Sequence, residues 1–268
     1  MNQITLNPVG KVISERNSPD TMPLGGTDSI IEIFEEYSDA LLRIEENSHL
    51  WVLSWFHESP RKSLRVNPKR LNPDLEEFGV FALRAFDRPN PIGLSLVKLE
   101  KVERSFLYVQ GLDAINNTPV LDVKPYFEND VIFSPKTPYI RRKNREMRQQ
   151  LILKRGFAYH QEKCLDLLLA VRMAVIAEEK LGHLQNDDLV INAKGTTCFI
   201  DALQGITHAR LANPPRLSYS IEASISESIW TKDDKQLVIK TKNTNYTEEN
   251  LLNMADEDLF MIDLYFGI

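Results

Sequence analysis

In the first half of the chain, apolar residues alternate with polar ones in short runs and do not recur at helical spacing. Residues 29–34, 49–56, 79–84, 93–102, 106–109 and 119–123 are rich in Val, Ile, Leu and aromatics and end at turn formers, so each predicts a strand. One helix is predicted among them, near 36–45. Many strands with little helix between them predict a small β-barrel or sandwich and argue against alternating β/α units. The pattern changes near residue 151. Residues 159–182 predict one long helix, apolar on most faces and closed by Gly182. A strand at 189–193, a turn at 194–195, a helix at 198–206 and strands at 217–221 and 236–240 follow. A last helix starts after Thr247, with Glu248 and Glu249 in its first turn. The second half therefore reads as α+β. Residues 134–150 contain proline, are basic and have few apolar side chains. The expected organisation is a domain over 1–135, a basic linker over 136–150 and a second domain over 151–268.

A chain of 268 residues accommodates two such domains. The start, Met1 to Pro8, is neither basic nor followed by an apolar core, so no signal peptide is read there. The longest apolar run, 165–177, is interrupted by Asp166 and Arg172 and is too short for a bilayer. No membrane partner and a cytoplasmic address are the resulting expectations. Two cysteines, Cys164 and Cys198, are too few for a disulfide framework and leave buried thiols, ligands or nucleophiles as readings. The net charge of −6 does not favour a polyanionic partner, yet residues 141–155 carry +6. That stripe reads more readily as a solvated linker helix than as a phosphate track.

The densest unusual segment is Arg84-Ala-Phe-Asp-Arg-Pro-Asn-Pro-Ile-Gly-Leu94. Two prolines around Asn90 fix φ twice, and Gly93 lets the chain turn into the next strand, so backbone groups stand in a rigid array. Upstream lies a strand ending in His57-Glu58, and downstream runs Gly111-Leu-Asp-Ala-Ile-Asn-Asn-Thr-Pro119. With residues 79–84, these segments resemble in order and spacing the TsaA-like (TrmO) family, from about Pro8 to Tyr126. The resemblance implies a small, non-Rossmann β-barrel that binds S-adenosylmethionine and works as a homodimer. It also implies methyl transfer to N6 of threonylcarbamoyl-adenosine beside the tRNA anticodon. The absence of a Gly-x-Gly-x-x-Gly loop agrees with a non-Rossmann cofactor site. Carried over, the cofactor contacts are His57, Glu58, Arg84, Pro91, Gly93, Leu94, Leu112, Asp113, Ala114 and Ile115. The reacting end falls to Asp87, Arg88, Asn90 and Asp113. The chain departs from the family at Asp87, where a histidine is usual, and at Met22-Pro-Leu-Gly-Gly26, where the family's Pro-Arg-Gln contact has no arginine. Methyl transfer from a sulfonium is an in-line displacement, and positioning alone can contribute about 7–11 kcal/mol. An amine acceptor also loses a proton, for which Asp87, Asp113 or His57 is a candidate acceptor.

In the second half, Tyr159-His-Gln-Glu-Lys-Cys164 and the later Cys198-Phe-Ile-Asp-Ala-Leu-Gln204 resemble the FmdE domain of formylmethanofuran dehydrogenase. The resemblance makes His160, Cys164 and Cys198, with Glu162, a metal or redox set, and puts Asp201 and Gln204 beside it. A His/Cys/Cys set suits zinc or another transition metal. Two buried cysteines retained for packing are the alternative. Three functions follow for the whole chain: a tRNA adenosine methyltransferase, a methyltransferase for a small molecule or metal-associated acceptor, or a non-catalytic binding protein for S-adenosylmethionine or metal.

Overall fold

The computed structural model describes residues 4–133, 135–243 and 245–267, and these fall into two compact units. The first comprises residues 1–67 and 76–132, the second 68–75 and 133–268. The segment 68–75 thus joins the second unit, where Lys143 N–H donates to Leu71 O (3.0 Å) and the Lys143 ammonium meets Asp74 (2.8 Å). Among the described residues, no helix is long and apolar enough to cross a membrane.

The first unit contains strands β1 (Gly10–Ile13), β2 (Thr27–Ile33), β3 (His49–Trp55), β4 (Arg65–Val66), β5 (Phe78–Gly79), β6 (Ile92–Glu103), β7 (Phe106–Leu112) and β8 (Pro119–Pro125). Six of them close an antiparallel barrel in the order β1-β2-β7-β6-β3-β8, and β4 and β5 form a separate ladder. Closure removes the exposed edges that an open sheet would present. Val12, Ile31, Leu50, Val52, Val97, Leu107, Val109 and Val120 fill the interior, at alternate positions of their strands.

Two expectations fail here for local reasons. Residues 36–45 form no α-helix but two 3₁₀ turns, Glu35–Leu41 and Ile44–Glu46, separated by Arg43 at φ 67°. No side chain caps the first turn, and its i→i+3 bonds bring Tyr37 and Leu41 against the barrel core. The strand expected at 79–84 stops at Gly79. Beyond it, the Arg88 guanidinium draws the carbonyls of Val80 (2.7 Å), Leu83 and Ala85 (2.8 Å) around itself. Carbonyls gathered on one cation are unavailable to a strand ladder.

The second unit carries α1 (Arg145–His160), α2 (Leu165–Leu181), β9 (Val190–Gly195), α3 (Thr197–Thr207), β10 (Leu217–Ile221), β11 (Glu227–Lys232), β12 (Lys235–Thr241), α4 (Glu248–Asn253), α5 (Asp256–Leu259) and β13 (Phe260–Phe266). The sheet order is β10-β9-β11-β12-β13, with β9 and β10 parallel through the α3 crossover and the other pairs antiparallel. The core joins α2 (Leu167, Met173, Ile176) to Ile191, Trp230, Leu237 and Ile239 of the sheet. The single helix expected over 159–182 is two. Gln161 takes a left-handed conformation (φ 63°) and ends α1, and the Cys164 sulfur caps α2 by accepting from Leu167 N–H. The break leaves His160 and Cys164 on the short connection between two helix ends. Residues 145–150, expected to be linker, are the start of α1.

Candidate functional site

Strand register gathers the loops of interest at one end of the barrel. Trp55 pairs with Ile92, Ser54 with Val120 and Thr27 with Leu112, so β3 and β7 end where β2, β6 and β8 begin. Phe56 N–H donates to Pro91 O (2.8 Å), and its ring packs on Phe86 with centroids 5.6 Å apart. Ser59 hydroxyl donates to Phe86 O (3.1 Å). Gly93 is required by this packing: a Cβ there would lie 2.5 Å from Ser54 Oγ and 2.6 Å from the Phe56 ring. From the other side, Asp113 N–H donates to Ser95 Oγ (3.3 Å), which ties the 111–115 turn to β6. Gly26, at φ 76°, packs its backbone directly on Gly111 and Leu112.

The residues carried over from the family therefore converge in three groups: His57 and Glu58 after β3, Pro91, Gly93 and Leu94 at the start of β6, and Leu112, Asp113, Ala114 and Ile115 after β7. Leu112, Ala114 and Ile115 are buried, whereas His57, Glu58 and Asp113 are exposed. Leu94 points outward from the barrel and is 43% exposed. Arg84 and Asn90 are exposed on the preceding loop. Asp87 and Arg88 have visible structural duties. Asp87 Oδ1 accepts from Lys62 N–H (2.9 Å) and Oδ2 from the Ser63 hydroxyl, and these bonds, the Ser63 one first, hold its carboxyl below the usual range. A carboxylate so occupied is a poor proton acceptor. Arg88 binds carbonyls of its own loop, as above.

A cleft of about 870 Å³ opens beside this end, lined in part by Ser14, Pro23, Gly26, Asp28, Ser29 and Tyr108. Ser29 is one of the lining residues, but its side chain lies on the inward face of β2 with Ile31 and Ile33, and its buried hydroxyl, like those of Ser54 and Thr118, takes no protein partner among the described residues. Sequence reasoning marked 22–26 only as a departure from the family and missed Ser29. A serine in an alternating strand carries no signal of its own.

In the second unit, one donor atom each of His160, Cys164 and Cys198 lies within 4.8 Å of the others. His160, whose side chain is 6% exposed, holds Asp201 Oδ2 at Nδ1 (2.7 Å) and faces Cys164 Sγ with Nε2 (3.3 Å). A carboxylate behind a histidine fixes the ring and its tautomer, as in many metal sites. Cys198 lies in the first turn of α3, whose cap Thr196 accepts from Phe199 N–H (3.1 Å) and donates to Asp166 (2.6 Å). Burial, then the neighbouring Cys164 and Asp166, push the Cys198 thiol up. The donor set fits a borderline-soft ion such as zinc, with three protein ligands and room for a fourth. Asp201 stands one helical turn after Cys198, the spacing that puts both on one face. Glu162 is exposed and stands outside the three-donor cluster. Tyr159 hydroxyl donates to Gln204 Oε1 (3.2 Å), which keeps Gln204 on the α1 side of α3.

The basic stripe is not a solvated linker. Arg145 binds Glu179 (2.9 Å) and Asp256, Arg148 binds Glu179 (2.6 Å), and Lys143 binds Asp74. Arg155 is half-buried, and burial lowers its pKa despite Glu178 nearby. Arg145 and Arg148, committed to partly buried carboxylates, have little left for phosphates, whereas Arg141, Lys143 and Lys154 are exposed.

The barrel with its proline-locked mouth, followed by an α+β unit with a His/Cys/Cys cluster, defines a two-domain protein of a recognisable class. Residues 15–130 match the model of the tRNA-methyltransferase O N-terminal domain, and residues 159–246 match FmdE, of the molybdenum formylmethanofuran dehydrogenase operon. A probable S-adenosyl-L-methionine-binding protein of Archaeoglobus fulgidus is 37% identical over 190 residues, 68% of this chain and 51% of that protein. One from Methanothermobacter thermautotrophicus is 42% identical over 131 residues, 47% of this chain and 93% of that protein. The human tRNA (adenine(37)-N6)-methyltransferase is 47% identical over 96 residues, 35% of this chain and 21% of that protein. A crystal structure of TrmO shares 31% identity with a TM-score of 0.43, covering 51% of this chain and 64% of that one. The chain belongs to the tRNA-methyltransferase O N-terminal-domain family. It spans about half the length of the first of these relatives.

Proposed function

We propose that this chain is an S-adenosylmethionine-dependent methyltransferase that methylates N6 of the threonylcarbamoyl-adenosine beside a tRNA anticodon. The observation that carries the reading is the meeting of residues 54–58, 91–95 and 111–115 at one barrel end, beside a cleft of about 870 Å³. S-adenosylmethionine supplies an electrophilic methyl group on a sulfonium. His57, Glu58, Arg84, Leu94 and the 112–115 turn would hold the nucleoside and amino-acid ends. Pro91 and Gly93 present rigid backbone at the reacting end, and Asn90 orients the acceptor. Asp113 and His57 are the candidate proton acceptors, the Asp87 oxygens being engaged by Lys62 N–H and the Ser63 hydroxyl. Most of the acceleration comes from alignment and exclusion of water. His160, Cys164 and Cys198 would hold a zinc or similar ion, which would supply Lewis acidity there.

The family expectation of a homodimer draws support from the outer face of β3 and β6, where Trp51, Leu53 and Trp55 pair with Leu96, Leu94 and Ile92. A second copy covering these partly exposed side chains would bury apolar area. A cytoplasmic address accompanies a tRNA substrate. A second reading, methylation of a small or metal-associated acceptor handled by the second unit, is favoured by one observation: Arg145 and Arg148 of the basic stripe are paired with Glu179 and Asp256. Calorimetric titration with S-adenosylmethionine tests the cofactor, and incubation with labelled cofactor and bulk tRNA tests the acceptor. No heat of binding would end both methyltransferase readings. Binding without label in tRNA would leave the second.

A further inference from the structure

The thiol cluster has the means for a chemistry besides metal ligation. Cys164 and Cys198 are both free and partly exposed, and their sulfurs lie within 4.8 Å of each other. A disulfide requires about 2.05 Å between sulfurs. Rotation of the two side chains about χ1 is the movement that would close the gap. The two sulfurs are also unequal. Cys164 Sγ accepts from Leu167 N–H (3.4 Å) at the start of α2 and faces His160 Nε2 (3.3 Å), and His160 is held from behind by Asp201 (2.7 Å). Asp201, His160 and Cys164 thus stand in the order of an oriented carboxylate, a base and a nucleophile. Cys198 approaches from the first turn of α3, a separate element, as a resolving thiol would.

We propose that Cys164 and Cys198 form a dithiol oxidised by hydroperoxides, with Cys164 attacking and Cys198 resolving, and that this oxidation and metal binding exclude each other. In the first step Cys164 passes its proton to His160 and its sulfur attacks the peroxide. The S–O bond forms, the O–O bond breaks, and the departing alkoxide (hydroxide from hydrogen peroxide) takes that proton and leaves as an alcohol or water. In the second step the Cys198 sulfur attacks the resulting sulfenic sulfur. The S–S bond forms, the S–O bond breaks, and the hydroxide leaves as water with the Cys198 proton. Two electrons pass from the two thiols to the peroxide, and nothing else is consumed. A metal ion held by both sulfurs occupies the electron pairs that the first step needs.

The inference is independent of the methyl acceptor. Metal-stripped full-length protein is treated with hydrogen peroxide, and thiols are counted before a non-reducing peptide map. The expected result is loss of both thiols per chain, one peptide pair joining Cys164 to Cys198 within a chain, and full recovery with dithiothreitol. Cys198→Ser should give a dimedone-trapped sulfenic acid at Cys164. Cys164→Ser should slow oxidation of the remaining thiol at least tenfold. Oxygen adducts without the linked pair, links only between chains, or equal rates in the two variants would overturn the proposal. Preloading with zinc should slow thiol loss at least tenfold. Unchanged loss in protein that demonstrably holds zinc removes the exclusion, whereas failure to take up zinc defeats the metal reading and leaves the linked pair standing.

Discussion

Replacing Gly93 by alanine adds one methyl group at the point where the barrel mouth is tightest. That carbon would sit 2.5 Å from Ser54 Oγ and 2.6 to 2.7 Å from two atoms of the Phe56 ring. Comfortable carbon contacts need about 3.5–4.0 Å, so the neighbours must retreat by roughly 1 Å. The Phe56 ring cannot do so freely, because its backbone N–H is bonded to Pro91 O and its far face meets Phe86. Overpacking of this kind costs about 1–3 kcal/mol. The barrel unit has 124 residues by its two spans, 67 and 57. At about 2.1 cal/mol/K per residue its unfolding entropy is roughly 0.26 kcal/mol/K, so Tm should fall by about 4–11 °C. Differential scanning calorimetry measures the shift. Pairing Gly93→Ala with Phe56→Leu should destabilise less than the sum of the two single changes, because the smaller side chain yields the space. A single variant melting within 1 °C of the parent would refute the account of why glycine stands at 93.

Three further outcomes follow from other contacts. Asp256→Ala leaves the Arg172 guanidinium, 7% exposed, without its carboxylate, though Leu251 O and Met254 O still accept from it, and should cost about 3–5 kcal/mol in denaturant titrations of the second unit. A loss below 1 kcal/mol would show the pair to be incidental. Asp201→Asn should weaken cobalt or zinc affinity about 10–100-fold, measured by competition with a chromophoric chelator, while the fold stays unchanged by circular dichroism. An unaltered affinity would mean that His160 needs no partner. The folded pKa of Asp87 lies below its usual 3.8, so its contribution is complete above that value and is lost as pH falls through the lower folded one. Asp87→Asn should therefore be less stable near pH 6 and converge on the parent only as pH falls through the lowered folded value. A constant gap across the acid range would contradict this.

The barrel was legible where strands alternate against water. β3, β6 and β8 read directly because inward Leu50, Val52 and Val97 interleave with outward residues. β1 was missed because Gly10-Lys-Val-Ile offers only two apolar residues in four. β11 was missed because its buried face includes Ser228 and Lys232, and β13 because apolar residues occupy both its faces. Three errors come from side-chain contacts and backbone turns that periodicity does not carry. Arg88 folds residues 80–85 around its own charge, and no propensity of those residues announces it. Helix α1 looked like a linker because its arginines seemed to need water, whereas Glu179 and Asp256 from other helices receive them. The break between α1 and α2 contains neither glycine nor proline, so helical periodicity runs through it unmarked. The candidate sites fared better, since prolines, histidines and cysteines announce themselves by type. The converging backbone at Gly26 and Gly111 and the orphaned Ser29 hydroxyl do not.

The two sites are built from different materials, and that difference predicts how each tolerates change. At the barrel mouth the shape is carried by main chain: prolines fix it, Gly26 and Gly93 permit its close approaches, and Arg88 and Asp87 act by binding backbone N–H and C=O groups. Side chains there can drift, as they have at Asp87, while the backbone contour is kept. In the second unit, the cluster depends on three donor atoms and on Asp201 behind one of them, so the contour can vary but the donors cannot. A glycine or proline change should therefore disable the first site through geometry, detectable as lost stability and cofactor affinity together. A serine in place of either cysteine should disable the second with no loss of stability in its metal-free form, because neither thiol is fully buried. If a cysteine substitution instead lowered the melting temperature of the stripped protein by several degrees, the thiols would be packing elements and the second site would lose its claim to chemistry.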